Sequence, residues 1–474
     1  MTALPEAPRA LAARRVFIDG AVRPAVIHVE HGRVSSIQDY DPDAQAPASV
    51  TVLPDHLTVL PGLVDSHVHL DEPGRTEWEG FETGTAAAAA GGIATIVDMP
   101  LNSVPVTTTP AALAEKRDAA VGKLAVDVAY WGGAVPENLG SLAALADAGV
   151  VGFKCFLSPS GIDEFGHLDA ANLEAALTEL AAFDGLLIAH AEDPAHLHDA
   201  ATLGPRYDAF LASRPPESER AAIRLVIETA RRTGARAHIV HVSDGGALDD
   251  IRAAKADGVR LTIETCPHYL TLRAEDVPDA AGQFKCCPPI RDAANQDLLW
   301  QGVLDGTVDA IVSDHSPSTV ELKQQGGGDF ALAWGGISGL QTGFPAIWTE
   351  ARARGIALEA IVPLMTTGPA RIAGLAGGVG RIEVGAPAHF AVVDLEATST
   401  VRAADLEYRN KMSPWDGRVL AGVIEGTYLR GRLVYTPATG VTVRAGRDIL
   451  SPTTMATGTP PPAAADAHAE EIAS

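Results

Sequence analysis

The middle of the chain alternates short apolar or β-branched runs with stretches whose hydrophobic residues recur at helical spacing. We predict eight strands from these runs, at residues 63–69, 93–99, 124–131, 150–157, 186–191, 237–242, 260–265 and 308–313. Helical stretches lie between them, among them residues 83–92, 173–183 and 220–234. This alternation predicts an α/β fold, and eight strands with intervening helices favour a (β/α)8 TIM-like barrel.

An open, doubly wound sheet is the alternative arrangement for alternating strands and helices. Such a sheet normally carries a glycine-rich turn directly after a strand, where it binds phosphate groups. No GxGxxG or Walker sequence follows the first predicted strand. The barrel is therefore the preferred prediction.

Both ends of the chain differ from this middle, because residues 14–60 and about 380–447 read as short strands joined by turns. We expect the two end segments to pair as one small β domain. The predicted division is 1–56 and 378–450 for that domain, 57–377 for the barrel, and 451–474 for a tail. The tail is rich in Pro, Ala and Thr and lacks Lys and Arg, so we predict that it is disordered.

Composition narrows the classes of partner. The 474 residues carry 36 Lys and Arg against 60 Asp and Glu, a formal charge of −24. Such a chain repels nucleic acid and anionic membranes, so neither is expected as a partner. No apolar run is long enough for a membrane span or a signal peptide, and four cysteines form neither a disulfide framework nor a CxxC pair. We expect a soluble cytoplasmic protein.

Candidate metal ligands begin at the end of the first predicted strand, in Asp65-Ser66-His67-Val68-His69. Alternation along a strand places His67 and His69 on one face, where two imidazoles can chelate a divalent cation. His196 and His198 have the same spacing but follow Pro194 in a stretch that reads as a helix. There they would point in different directions, so we do not assign them to a metal.

Lys154 lies among apolar residues of the fourth predicted strand. An unpaired ammonium is costly in such a place, so the group tends to become a neutral, nucleophilic amine. Such an amine can take up carbon dioxide as a carbamate, whose two oxygens can bridge two metals. The alternative is a lysine paired with an aspartate, and position alone leaves both open.

Further polar side chains follow other predicted strands, with His190 after the fifth, His241 after the sixth and Asp314 after the eighth. His238 faces the opposite way from His241, which indicates a packing or surface role. The set fits two divalent cations bridged by a hydroxide, suited to amide hydrolysis, with Asp314 as both ligand and proton carrier. Zinc suits these ligands, and manganese and cobalt stay open.

This residue set resembles the metal site of the cyclic amidohydrolases, which include dihydroorotases, hydantoinases and allantoinases. The resemblance covers residues 14–445. It implies a binuclear metal centre bridged by a carboxylated Lys154, a β-sandwich built from both chain ends, and a homotetramer. Several stretches are similar to the allantoinase branch, which opens the hydantoin ring of allantoin to give allantoate in purine breakdown: residues 72–85, 98–105, 149–156, 266–270, 288–292, 333–341 and 406–418.

Three residues are candidate substrate contacts. The family's dihydroorotases have an arginine for the substrate carboxylate where this chain has Asp71, so the resemblance disfavours that substrate. Asp71 either binds ureido N–H groups or is a solvated loop carboxylate, and we favour the loop. Cys287 replaces a common serine, and Asn102 either contacts substrate or caps the following segment.

Alternatives to an allantoinase are a hydantoinase or dihydropyrimidinase with broader ring tolerance and, less favoured, a dihydroorotase. A non-catalytic scaffold of the same fold is a further alternative. A scaffold predicts gaps among the metal ligands, and this chain has none.

Overall fold

The computed structural model describes residues 4–43, 47, 49–198 and 200–449. The tail predicted to be disordered, 451–474, lies outside the described residues. Within the described ranges, no helix is both long enough and apolar enough to cross a membrane.

The fold is α/β, with its helices distributed between the strands. The strands are Ala10–Ile18 (β1), Ala21–Glu30 (β2), Arg33–Asp39 (β3), Thr51–Val52 (β4), Leu57–Pro61 (β5), Leu63–Val68 (β6), Ile93–Asp98 (β7), Asp127–Tyr130 (β8), Gly132–Gly133 (β9), Phe153–Phe156 (β10), Leu186–His190 (β11), Arg236–Ile239 (β12), Leu261–Thr265 (β13), Ala310–Ile311 (β14), Phe390–Thr400 (β15), Val419–Leu429 (β16), Arg432–Thr436 (β17) and Gly440–Val441 (β18). The α-helices are Phe81–Ala90 (α1), Pro110–Ala120 (α2), Leu142–Asp147 (α3), Ala170–Ala181 (α4), Tyr207–Ser213 (α5), Pro216–Thr233 (α6), Leu248–Ala256 (α7), Pro267–Thr271 (α8), Ala293–Leu304 (α9), Val320–Lys323 (α10), Gln325–Gly328 (α11), Gly343–Ala353 (α12), Leu358–Ile361 (α13) and Thr367–Ile372 (α14).

Helix α6 shows how the sequence sets these elements. It starts at Pro216, whose fixed φ suits a first helical turn, and ends before Gly234, which adopts the left-handed conformation with φ 70°. Acidic residues occupy its first turn and arginines its last turn, which complements the helix dipole. Its buried residues recur at helical spacing, so one face packs on the strands.

All eight strands predicted in the middle of the chain are present, as β6, β7, β8 and β10–β14. They form two parallel sheets, in the order β6-β7-β8 and β14-β13-β12-β11-β10-β9. A parallel bridge between Val68 and His315 brings the end of β6 beside the segment that follows β14. The carboxyl ends of these strands therefore meet at one edge, where parallel-strand enzymes place their active sites.

The third predicted strand, 124–131, is shorter than expected and continues as a second piece. β8 pairs with β7, whereas the next two residues, Gly132 and Gly133, form β9 and pair with β10. A Cβ at Gly132 would lie 2.7 Å from Leu145, and one at Gly133 would lie 2.6 Å from Phe165. The two glycines let the chain turn from one sheet to the other without a clash.

The two ends of the chain share one nine-stranded sheet, in the order β18-β17-β16-β15-β5-β1-β2-β3, with β4 paired to β1. β5 and β15 are antiparallel neighbours, with Val59 opposite Val392. Just beyond this pair, the amide of Gly62 donates to the carbonyl of His389 at 2.9 Å. The predicted pairing of the N- and C-terminal segments is therefore present.

Candidate metal centre

His67 and His69 lie at the end of β6 and face the same carboxylate. His67 Nε2 is 3.1 Å and His69 Nε2 is 3.8 Å from Asp314 Oδ1. All three side chains are buried, and their ligand-type atoms lie close enough together to hold one metal ion. The structure thus brings together residues that are about 250 positions apart in the sequence, by placing β6 beside the segment after β14.

His190 and His241 form a second pair next to the first. Nδ1 of His190 lies 3.0 Å from Nε2 of His241, so these two nitrogens face a common point. The ring centroids of His67 and His241 are 5.4 Å apart, which joins the two pairs into one group. A single cavity of about 440 Å³ is lined by all six predicted ligands: His67, His69, Lys154, His190, His241 and Asp314.

Lys154 lies in β10, opposite Ile188 of β11, and is 1% exposed. Within the described ranges, no carboxylate lies within 4.0 Å of its Nζ, which is 4.9 Å from the centre of the Phe156 ring. Burial lowers the pKa of Lys154 to about 8, although the carboxylates of Asp314 and Glu264 act in the opposite direction. Among the described residues, Lys154 therefore forms no ion pair with an aspartate, which was the alternative. Its lowered pKa makes the neutral amine accessible near neutral pH.

The rear nitrogens of three histidines are held by acceptors, which fixes the ring orientation and the tautomer. Glu264 Oε1 lies 2.5 Å from His67 Nδ1, the carbonyl of Leu101 lies 2.9 Å from His69 Nδ1, and Glu192 Oε2 lies 2.7 Å from His190 Nε2. In each ring the opposite nitrogen is left facing the cavity. Metal-binding histidines typically have this arrangement.

Burial also favours the neutral form of these rings, which is the form that binds a cation. It lowers the pKa of His69, His190 and His241, which keeps the rings neutral and their lone pairs available. Buried Nδ1 of His241 has no hydrogen-bond partner among the described residues. The set of imidazoles, a neutral amine and a carboxylate suits divalent zinc or a similar cation.

Glu264 and Glu192 are functional candidates that sequence reasoning missed. The second oxygen of Glu264 lies 3.0 Å from Nε2 of His238, whose Nδ1 is 2.8 Å from Thr262 Oγ1. Unlike His241, His238 does not line the cavity, and it is fully buried beside Glu264, which agrees with the predicted packing role and makes the surface role wrong. Burial alone would raise the pKa of Glu264, but His67 and His238 hold it below its usual range.

Glu192 is also held by a cation, Arg214. Its two oxygens accept from Nε and Nη2 of Arg214 at 3.0 and 2.6 Å. Against the effect of burial, Arg214 and His190 hold the pKa of Glu192 below its usual range. The spacing of His190 and Glu192, two residues apart at a strand end, was the available signal, because such residues share a face.

The fold and this geometry agree with comparisons against known proteins. Residues 58–434 match the model of the amidohydrolase family. The chain belongs to the amidohydrolase family. An allantoinase of Streptomyces avermitilis is 54% identical over 425 residues, covering 90% of this chain and 94% of that protein.

Other relatives of this amidohydrolase extend the comparison. An allantoinase of Saccharomyces cerevisiae is 41% identical over 447 residues, covering 91% of this chain and 96% of that protein. Among solved structures, an L-hydantoinase (dihydropyrimidinase) from Arthrobacter aurescens superimposes with a TM-score of 0.86 at 30% identity. That match covers 93% of this chain and 99% of the other.

The candidate substrate residues of this amidohydrolase fall in different places. Asn102 and Cys287 line the cavity. Asp71 is fully buried and is not among the cavity-lining residues, so its interpretation as a solvated loop carboxylate is wrong. Asn102 donates from Nδ2 to Asp71 Oδ1 at 3.2 Å, so the two candidate residues contact each other.

Asn102 does not cap the next helix, which was its alternative role. The residue that precedes α2 is Thr109, and its hydroxyl accepts from the amide of Ala112 at 3.2 Å. His196, excluded from the metal site by sequence, ends a short 3-10 turn at Pro194–His196 and contacts Asp193 at the surface. His196 and His198 are both absent from the cavity lining.

Proposed function

We propose that this amidohydrolase is an allantoinase that hydrolyses the cyclic amide bond of the hydantoin ring of allantoin to give allantoate. The observation that carries the proposal is the 54% identity to an allantoinase over nine-tenths of the chain. Support comes from the cavity, in which the metal-ligand side chains face one side of a space suited to a small ring.

His67, His69, Lys154, His190, His241 and Asp314 would hold two divalent cations, with zinc as the favoured metal. When bound, such cations polarise an amide carbonyl and acidify water, which assists hydrolysis near neutral pH. The neutral amine of Lys154 attacks carbon dioxide, forms an N–C bond and releases a proton to solvent. The resulting carbamate supplies two anionic oxygens from a residue that would otherwise bring a positive charge into the site.

Asp314 is positioned to carry a proton between water and the leaving nitrogen. Burial raises the pKa of Asp314, with His67 and Lys154 acting in the opposite direction, which makes the carboxylate a better proton acceptor. In hydrolysis, Asp314 takes one proton from the attacking water. It then gives that proton to the ring nitrogen as the C–N bond breaks.

The choice of an uncharged substrate is supported by the guanidinium at the cavity, which already binds a carboxylate of the protein. Arg214 donates to both oxygens of Glu192. Asp71 occupies the position at which the resemblance places a carboxylate-binding arginine in dihydroorotases. Allantoin carries a ureido group rather than a carboxylate, so it needs no such arginine.

The finer architecture belongs to the same proposal. The two parallel sheets would close as a (β/α)8 barrel over residues 57–377, and the nine-stranded sheet would form a β-sandwich from 1–56 and 378–450. The bridge between Val68 and His315 supports closure of the barrel. A homotetramer and a cytoplasmic location stay predictions.

A hydantoinase with broader ring tolerance is the second candidate function. The close superposition on the L-hydantoinase (dihydropyrimidinase) favours it, because that structure covers nearly the whole chain. The two candidates use the same metal site and differ only in the groups that contact the substituent on the ring.

The test is ring opening by purified protein supplied with zinc and bicarbonate, with allantoin, dihydroorotate and a 5-substituted hydantoin compared side by side. We expect the highest kcat/KM for allantoin. A higher value for the hydantoin would move the assignment to hydantoinase and leave the metal site standing. Bound zinc without hydrolysis of any substrate would contradict an enzyme of this class.

A Cys287→Ser variant tests the contribution of that cavity-lining residue. If backbone groups of its loop bind the ring, the variant keeps the wild-type order of substrates. An Asn102→Ala variant is the matched comparison, because it removes a side-chain amide at the same cavity. We expect a raised KM for allantoin in Asn102→Ala and little change in Cys287→Ser.

A further inference from the structure

A second cluster of ligand-type side chains lies beside Asp314. Donor atoms of Cys266, His268 and Asp314 all lie within 4.8 Å of one another, and all three residues are buried. Cys266 and His268 do not line the cavity and have no part in the binuclear site proposed above. The cluster therefore combines a thiol and an imidazole with a carboxylate that the proposed reaction already uses.

His268 has no polar partner to account for its burial. The side chain is 0% exposed, and neither of its ring nitrogens has a hydrogen-bond partner among the described residues. Its ring packs edge-on against the ring of Tyr269, with centroids 4.2 Å apart. This ring contact gives neither nitrogen of His268 a hydrogen bond. Buried polar groups are normally satisfied, so this imidazole indicates a missing ligand.

The backbone that carries the thiol and the imidazole is held firmly. Cys266 directly precedes α8, and its carbonyl accepts from the amide of Leu270 at 3.2 Å. The carbonyl of His268 accepts from the amide of Leu272 at 3.1 Å. Trp300 Nε1 donates to the carbonyl of Leu270 at 3.0 Å, which ties the short helix to α9. The cluster is thus part of a packed region.

We propose that Cys266, His268 and Asp314 form an additional binding site for a thiophilic divalent cation, adjacent to the binuclear centre and sharing Asp314 with it. Sulfur and imidazole donors select soft or borderline cations over magnesium or calcium. Bonds from zinc to sulfur and nitrogen are about 2.0–2.3 Å long, so small side-chain movements close the cluster around one ion. On binding, the Cys266 S–H bond breaks, its proton passes to solvent, and a sulfur–metal bond forms without any redox change.

Occupation of this site competes for the carboxylate of Asp314. Oδ1 of Asp314 already faces His67 Nε2 at 3.1 Å, so a cation held by Cys266 and His268 draws the carboxylate toward itself. Asp314 then no longer carries protons, and hydrolysis slows. This inhibitory consequence rests on the proposed function of Asp314, whereas cation binding does not.

Cadmium is the probe, added to the zinc-loaded full-length protein. Thiolate–cadmium bonds absorb in the near ultraviolet, whereas cadmium exchanged for zinc at histidines and carboxylates does not produce this band. Equilibrium dialysis gives the cadmium bound, and hydrolysis is followed in the same samples. We expect the band to saturate with about one added equivalent per chain and the rate to fall with it.

Two variants and a control assign the site. Cys266→Ser should abolish the band, and His268→Gln, which keeps the thiol, should weaken cadmium binding at least about tenfold. Cys287→Ser, which removes a cavity-lining thiol, should leave the band unchanged. Thermal unfolding of each variant checks that the fold is retained.

Two results would overturn the site: a band that persists in Cys266→Ser, or one that disappears in Cys287→Ser. Saturated binding with an unchanged rate would overturn the inhibitory consequence alone. If wild-type protein hydrolysed none of the substrates, the proposed function would fail, while the absorption band would still decide the cation site.

Discussion

Glu264 Oε1 lies 2.5 Å from Nδ1 of His67, behind the ring nitrogen that faces Asp314. Both side chains are at most 2% exposed, so water does not compete for this contact. The carboxylate therefore sets the direction in which His67 presents its lone pair. A residue outside the proposed ligand set thus controls the orientation of a proposed ligand.

A Glu264→Gln variant tests this control. Glutamine keeps the shape of the side chain but removes the charge that attracts both His67 and His238. We expect metal affinity to fall about 10–100-fold, with a parallel loss of activity at limiting metal. Metal content after dialysis against a chelator series measures it. Glu174→Gln, at a surface ion pair with Arg232, is the control and should leave affinity unchanged; equal affinity in both variants would remove Glu264 from this role.

A Lys154→Ala variant tests the carbamate. Removal of the amine deletes the group that would bridge two cations, so we expect activity to be abolished. Added short-chain carboxylic acids should restore part of it, because a free carboxylate can take the place of the carbamate. His190→Ala is the matched comparison, since an acid does not replace an imidazole and no rescue is expected there. Full activity in Lys154→Ala would contradict a bridging role for this residue.

An Asp314→Asn variant separates metal binding from proton transfer. Asparagine keeps an oxygen donor but does not accept a proton from water. We expect metal to be retained and kcat to fall by about 10²–10⁴-fold or more, the usual range for a lost general base. Metal analysis and steady-state kinetics on the same preparation are the measurements. Asp257→Asn, at an exposed ion pair with Arg231, serves as control. Near-normal turnover in Asp314→Asn would exclude it as the proton carrier.

His389, at the junction of the nine-stranded sheet with β6, predicts a dependence of stability on pH. Burial lowers the pKa of His389 to about 3, and Arg430 acts in the same direction, although Asp127 lies 3.8 Å from Nε2. A lowered folded-state pKa means that the stability is present above the unfolded value of about 6.5 and is lost as pH falls. We expect the free energy of unfolding to drop by about 2 kcal/mol from this group between about pH 7.5 and pH 5.

The contribution of His389 is isolated by comparing urea unfolding of the wild type and a His389→Gln variant across that range. The variant should lose free energy less steeply as pH falls. His56→Gln provides a control, because His56 is mostly exposed. A slope in His389→Gln that matches the wild type would show that this ring is accessible to protons in the folded state.

The strands could be predicted from sequence because each is a short apolar run with polar residues at its end. The same feature marked five of the six candidate ligands, since a parallel fold gathers strand ends at one edge. Lys154 was marked instead as a charged residue inside a strand, among apolar neighbours. Strand lengths were less accurate: 308–313 contains only the two-residue strand β14.

The environment of the ligands could not be predicted in the same way. Glu264 contacts His67 across 197 positions, and that contact depends on how β13 and β6, which belong to different sheets, are placed in space. Asp71 was misread because exposure depends on a partner, Asn102, which a different loop supplies. The alternation of side chains along a strand predicts which face of the sheet a residue lies on, but not which residues of other segments pack against it.

The pairing of β5 with β15 has a consequence for folding during synthesis. Val59 pairs with Val392, so one side of β5 has no partner strand until more than three hundred further residues have been synthesised. Contacts of such high sequence separation form late and slow folding. Until then the edge of β5 is unpaired in the nascent chain. Such an edge can pair with strands of other chains and cause aggregation unless it is covered.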